Sequence, residues 1–142
     1  IKKQTTIDAK NFEPVINGMS DVYKNGTAKH VQIKGIEICG KTGTVENYIR
    51  KNGVKYQLED HSIFVAFAPK ENPKIALAIF VENGGFGSTI AAPIASLMIE
   101  KYLKGTTSLT WWGQNSQSLI EKSLEAEYKK QLSIQTLEKS QN

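Results

Sequence analysis

The sequence predicts an α+β domain in which three strands are packed by one helix before them and another after them. Three observations predict this. An apolar stripe at helical spacing comes first, three strand-like runs follow it, and a second helical stripe closes the series. The last two strand-like runs are joined by only the short polar segment Pro69 to Pro73, as in an antiparallel hairpin. The chain's 142 residues suffice for one ordinary domain with a real core.

Residues 1–10 carry no clear period. Phe12, Val15, Ile16, Met19, Val22 and Tyr23 then recur at helical spacing and predict the first helix. Asn11 is its expected N-cap, Pro14 is tolerable in the first turn, and Asn25-Gly26 ends it. Val31 to Cys39, rich in β-branched residues, is the expected first strand, with Ile36 and Ile38 alternating with Glu37 and Cys39. Residues 45–60 read as a longer polar connection. His61 to Ala68 is nearly continuous apolar and stopped by Pro69. Ile75 to Glu82 is a third strand, stopped by Asn83-Gly84-Gly85. Thr89 to Leu103 reads as a helix ending near Gly105, with Ile90, Ile94, Leu97, Met98 and Tyr102 as its apolar face. The small Ala91, Ala92 and Ala95 allow it to approach a sheet closely. The domain is thus expected to run over 1–105. Residues 106–142 form an appendage in which Trp111-Trp112 pin the tail and Leu119 to Leu137 make a charged helix.

Formal charge is only +4, and the Lys and Arg are scattered without interleaved aromatics, which argues against a nucleic-acid partner. The longest apolar run, Ile75 to Val81, is too short to cross a bilayer, so any membrane anchor is expected outside this chain. The chain opens at Ile1 without Met or leader and reads as a cut inside a longer polypeptide. Cys39 is alone and is expected to be a small buried hydrophobe, since neither His30 nor His61 has a spacing that marks it as a base for the thiol. No cluster of Cys, His and carboxylates suggests a metal, and no cofactor is implied.

Lys41-Thr42-Gly43-Thr44 carries the strongest chemical signal, and it fits two chemistries. Gly35 to Thr42 satisfies G-x-x-x-x-G-K-[ST], the phosphate-binding loop. That loop must curl after a strand and feed a helix, whereas Ile36 to Cys39 alternates like a strand and Gly43 is a poor start for a helix. Read as K-T-G in a strand bordering a cleft, the same residues make better sense. Lys41 supplies a fixed positive charge for an anionic substrate end. Thr42 and Thr44 share a face and can hold a carboxylate. Gly43 leaves room for another backbone, and the Thr44 N–H is positioned to donate to a developing oxyanion.

The flanking segments decide between them. Asn17-Gly18-Met19, Gly26-Thr27-Ala28 and Gly40 to Thr44 resemble, in order, the last third of a class B penicillin-binding protein. Asp60 to Pro69, Asn72 to Ala76, Val81 to Gly85 and Ala91-Ala92-Pro93-Ile94 continue the likeness, which covers about residues 8 to 104. The Asp60-His61 strand and the Glu82-Asn83-Gly84-Gly85 turn most resemble the elongation branch, the penicillin-binding protein 2 type.

The resemblance implies part of the penicillin-binding and serine β-lactamase-like transpeptidase fold, with strands encoded earlier missing and an unpaired sheet edge left behind. It implies a D,D-transpeptidase that acts on peptidoglycan stem peptides, is acylated by β-lactams, works with cell-elongation proteins and sits at the periplasmic face of the bacterial inner membrane. Lys41 and the Thr44 N–H would be catalytic, and Thr42, Gly43 and Thr44 would bind substrate. His61, Glu82, Asn83 and Gly84 would border the groove, although His61 can simply satisfy a local hydrogen bond. The family's nucleophile and base come from S-x-x-K and a second serine from S-x-N. No serine here is followed three places on by lysine, and the only S-x-N text is Ser140-Gln141-Asn142 at the far terminus. The chain is therefore expected to be inactive alone and to need the remainder of its own polypeptide. The alternative is a non-catalytic β-lactam sensor or cell-wall scaffold of the same fold, against which the intact Lys41-Thr42-Gly43 speaks.

Overall fold

In the computed structural model, residues 5–107, 110–111 and 114–115 are described, and they divide into two compact units, 1–107 and 108–142. In the first unit α1 (Glu13–Lys24) precedes β1 (Cys39–Val45), β2 (Tyr48–Lys51), β3 (Val54–Gln57), β4 (His61–Ala68), β5 (Ile75–Val81) and α2 (Ala91–Lys104). The main sheet has the order β1-β4-β5, antiparallel throughout, with β1 and β5 at its edges. In the second unit β6 (Thr110–Trp111) pairs antiparallel with β7 (Gln114–Asn115). Trp112, the expected helix from Leu119 to Leu137 and the Ser140-Gln141-Asn142 triplet lie outside the described residues.

α1 begins one residue later than expected. Asn11 ends a short 3₁₀ turn capped by the Asp8 carboxylate. Phe12 takes the N-cap position without a side-chain bond, and Pro14 lies in the first turn. At the other end Gln32 folds back and donates its amide to the carbonyls of Tyr23 and Lys24, orphan acceptors of the last turn. The expected first strand, Val31 to Cys39, is not one. Val31 closes a second 3₁₀ turn, and the strand starts only at Cys39. Val31, Ile33 and Ile38 are buried, so their hydrophobicity is spent anchoring an irregular segment, and Gly35 at φ +81° breaks the extended path. Residues 45–60 also differ from expectation. They fold as the β2–β3 hairpin, turned by Asn52-Gly53 with both residues at positive φ, as a two-residue primed turn demands.

β4 matches its expected limits, and β5 is shorter than expected by one residue. Along β4, Ser62, Phe64, Ala66 and Ala68 are buried, while Val65 is exposed. α1 packs on β1, and α2 packs on β4 and β5. Tyr23 of α1 joins these layers. Its ring meets Phe64 edge-on with centroids 5.7 Å apart, and its hydroxyl lies 3.1 Å from Ser96 of α2. Burial pushes the Tyr23 hydroxyl up to about 12, the Ser96 bond acting weakly the other way. Gly40 is a glycine because this junction is full: a Cβ there would stand 2.6 Å from the Phe64 ring. Cys39 is wholly buried, and that burial raises its thiol pKa, in keeping with a packing role.

α2 turns a different side to the sheet from the one its large residues suggest. Ala92, Ala95, Ser96 and Ile99 are buried, whereas Met98 and Tyr102 are 48% and 62% exposed. The small residues win because they let the helix come close to the strands. Gly105 at φ +74° ends the helix, its N–H bonding the Lys101 carbonyl.

Glu37 tethers the irregular segment to α1 and to the β4–β5 turn. Its carboxylate accepts from Lys24 at 2.7 Å and from Ser20 at 2.8 Å, with Lys70 at 3.7 Å. The Lys24 bond, then the Ser20 bond, hold the Glu37 carboxyl below its ordinary value, and Glu37 raises Lys24 in turn. Native Glu37 therefore stays ionised after the unfolded chain has begun to bind a proton. Its contribution is complete above the ordinary value of 4.5 and is lost as pH falls through the depressed native value. Glu37→Gln is expected to lower stability slightly at neutral pH and to flatten its acid decline between those two values. The group is partly exposed and solvent screens it, so the effect is small. Urea unfolding midpoints across the acid range, wild type against variant, check this.

Candidate active-site wall

Lys41, Thr42, Gly43 and Thr44 lie in the middle of β1, an edge strand of the sheet. Their register against β4 is Lys41↔Val65, Thr42↔Phe64, Gly43↔Ile63 and Thr44↔Ser62. Directly paired residues share a face, so Thr42 and Thr44 lie on the face of the buried Phe64 and Ser62. Lys41 lies on the other face, opposite exposed Val65. The cation and the two hydroxyls thus straddle one strand edge. Lys41 is exposed, and its ammonium donates to the Thr42 carbonyl at 2.9 Å, which holds the charge along the strand. The strand continues to Val45, so the helix that a phosphate-binding loop requires after Thr42 is absent there.

His61, Asn83 and Gly84 come together at the end of this sheet where Val45 pairs with His61 and Ser62 with Val81. The Asn83 N–H donates to His61 Nδ1 at 3.0 Å, which in the neutral ring leaves the proton on Nε2. His61 also packs against Phe80, with centroids 5.3 Å apart. Its local hydrogen bond is thus accounted for. Gly84 is packed so closely that a Cβ would be 2.9 Å from the Ser62 Cβ. Glu82 is exposed beside them.

Sequence reasoning missed four residues at this end. Asn47, just past β1, donates its amide to Asn83 Oδ1 at 2.8 Å and to the Glu59 carbonyl at 3.2 Å. Asp60 accepts from the Asn47 N–H at 3.2 Å and from Gln57 at 3.0 Å, and its carbonyl accepts from the Gly85 N–H at 2.8 Å. These bonds join the β2–β3 hairpin to the turn after β5. Ser62, wholly buried, donates to the Phe86 carbonyl at 3.1 Å and accepts from the Ala91 N–H at 3.2 Å. Gly87 lies directly on the ladder between β1 and β4. A Cβ there would be 2.3 Å from the Ile63 carbonyl oxygen and 2.7 Å from that of Gly43. This close approach depends on the missing side chain of Gly87, whereas a Cβ on Gly43 would meet the Ile63 side chain at 3.2 Å. Three glycines among Gly84 to Gly87 were the available signal.

Comparisons with known proteins bear on the family and the fold. Residues 1–100 match the model of the penicillin binding protein transpeptidase domain. The peptidoglycan D,D-transpeptidase MrdA of Haemophilus influenzae is 35% identical over 102 residues, covering 65% of this chain and 16% of that protein. Among solved structures, the ceftriaxone acyl-enzyme of penicillin-binding protein A from Mycobacterium tuberculosis superposes with a TM-score of 0.62 at 28% identity, covering 73% of this chain and 23% of that one. Pseudomonas aeruginosa PBP2 in complex with WCK 5153 gives 0.57 at 33% identity, with coverages of 72% and 21%. The chain thus spans less than a quarter of the length of each of these relatives. Its fold is that of part of their transpeptidase domains, and the chain belongs to the penicillin binding protein transpeptidase domain family.

Proposed function

We propose that this chain forms one wall of the active site of a peptidoglycan D,D-transpeptidase, and that the serine it serves lies outside these 142 residues. The observation that carries the reading is the placement of Lys41 on one face of an edge strand and of Thr42 and Thr44 on the other. A stem peptide ending in D-Ala-D-Ala, or a β-lactam mimicking it, lies along that edge. Thr42 and Thr44 hydroxyls hold its carboxylate, and Lys41 supplies the countercharge. When the serine oxygen adds to the penultimate carbonyl, the charge on the carbonyl oxygen is met by the Thr44 N–H. The C–N bond then breaks, the terminal D-Ala leaves with a proton, and an acceptor amine takes the acyl group from the serine. His61, Glu82, Asn83 and Gly84 border the groove. The likeness of the Asp60-His61 and Glu82 to Gly85 segments to the elongation branch supports a place among cell-elongation proteins at the periplasmic face of the inner membrane.

The test is labelling with a fluorescent penicillin. The full-length protein that contains this chain is expected to be labelled covalently, and the chain alone is not. Labelling of the isolated chain would overturn the location of the nucleophile. Labelling of the full-length protein without D-Ala release from a stem peptide would favour a sensor, and no labelling at all a scaffold. In the full-length protein, Lys41→Met removes a charged donor worth about 1.5–3 kcal/mol. It is expected to weaken pre-acylation binding of penicillin by about 10- to 150-fold. The concentration dependence of the labelling rate reads this directly.

A further inference from the structure

We propose that residues 83–91 are a strap that fixes the Gly43–Thr44 peptide of β1, and that Gly87 and Ser62 are positioning residues for transpeptidation. The inference rests on the reading of β1 as the oxyanion wall. It goes beyond that reading by naming what holds the wall in place.

The strap is bonded to the sheet at both ends. At its start the Asn83 N–H bonds His61, the Asn83 side chain accepts from Asn47, and the Gly85 N–H bonds the Asp60 carbonyl. Asn83 and Gly85 hold positive φ, at +54° and +68°, so the chain turns sharply between these bonds. At its end, one buried hydroxyl holds both the last residue before Gly87 and the first residue of α2. Ser62 Oγ donates to Phe86 O at 3.1 Å and accepts from Ala91 N at 3.2 Å. The Ala92 N–H bonds the Gly87 carbonyl at 2.8 Å. Two orphan donors of the helix start are thus satisfied by the strap and by the strand beneath it. Ser62 is also the direct partner of Thr44 across the ladder.

Between these two moorings Gly87 rests on the Gly43–Ile63 pair. Its added Cβ would reach the Ile63 oxygen at 2.3 Å, the Gly43 oxygen at 2.7 Å and the Gly43 nitrogen at 3.2 Å. All three are backbone atoms, so a side chain there cannot be absorbed by a rotamer change. Either the strap or the β1–β4 ladder beneath it must move. β1 is an edge strand, with β4 its sole strand partner among the described residues, so backing from the strap bears directly on its orientation. The Gly43–Thr44 peptide carries the N–H that must meet a developing oxyanion within a few tenths of an ångström. A misplacement of about 1 Å at such a site costs on the order of 100-fold in rate.

The test uses the full-length protein and separates the pre-acylation dissociation constant for a fluorescent penicillin from the acylation rate constant. Gly87→Ala and Ser62→Ala are expected to lower the acylation rate constant by about 10- to 100-fold, with the dissociation constant within about threefold of wild type. Ser62→Cys, which keeps a weak donor and acceptor, is expected to recover part of the loss. Tyr102→Ala, outside the strap, is the control. Its side chain is 62% exposed on α2, and its acylation is expected to match wild type. Thermal midpoints accompany each variant, and should Gly87→Ala not fold, Ser62→Ala and Ser62→Cys carry the test. Unchanged acylation in folded strap variants would overturn the strap. So would a loss that tracks the unfolded fraction, or equal losses in rate and affinity. Failure of wild type to be labelled would instead sink the transpeptidase reading itself.

Discussion

Phe64→Ala is expected to be the most destabilising single truncation in the described core, lowering the unfolding free energy by about 3–5 kcal/mol. Phe64 is 0% exposed at the middle of the central strand, and its ring touches layers that come from distant parts of the sequence. Tyr23 meets it edge-on, and Gly40 is held to a glycine by it. Removing the ring leaves a cavity that β1, β4 and α1 cannot easily close, because Tyr23 is also tied to Ser96. Phe64→Leu keeps much of the volume and is expected to lose far less. Urea unfolding of both variants in the same full-length protein decides the matter. An alanine variant within about 1 kcal/mol of wild type would mean that this junction is not the core.

The location of that core was only partly legible in the sequence. The β4–β5 hairpin was readable because His61–Ala68 and Ile75–Val81 are continuous apolar runs cut by prolines and glycines. Continuous runs fit a strand with few alternatives at that length. Val31 to Cys39 is also rich in β-branched residues, alternating with polar ones, but has a different fate. Its apolar residues are buried one by one from an irregular path, a tertiary outcome that alternation alone cannot distinguish from a strand. The β2–β3 hairpin was signalled by Asn52-Gly53, yet its strand residues, Ile49, Val54 and Tyr56 among them, are all exposed, so no buried face marked them as strands. In α2 the large apolar residues were the louder pattern. Close approach to the sheet selected the alanines instead.

At the site, Lys41 to Thr44 stood out because the residue types are chemically specific. Asn47, Asp60, Ser62 and Gly87 did not, because their roles arise from pairing across the sheet. Ser62 reaches the strap only because β4 places it opposite both Thr44 and Val81, and no local spacing encodes that. Gly87 is legible only as one of several glycines until the strand it lies on is known.

Thr44→Pro is expected to give the largest functional loss for the smallest chemical change at the wall. Proline deletes the Thr44 N–H and keeps a chain that can follow an edge strand, provided that the N–H points away from the partner strand. An oxyanion donor must point away from β4, so the two requirements coincide. Gly43 before it accommodates the restriction that proline imposes on its predecessor. Loss of one such donor costs about 100- to 1,000-fold in the acylation step. Thr44→Ala keeps the N–H and loses one hydroxyl bond to the substrate carboxylate, about 1.5–3 kcal/mol for a charged partner, and that loss falls on substrate binding. The expected pattern in the full-length protein is therefore a slow proline variant with near-normal penicillin affinity beside a fast alanine variant with weakened affinity. If Thr44→Pro acylated within about threefold of wild type, the backbone donor would lie elsewhere. If it unfolded the domain, the Thr44 N–H would belong to the β1–β4 ladder, and the oxyanion assignment would fall with it.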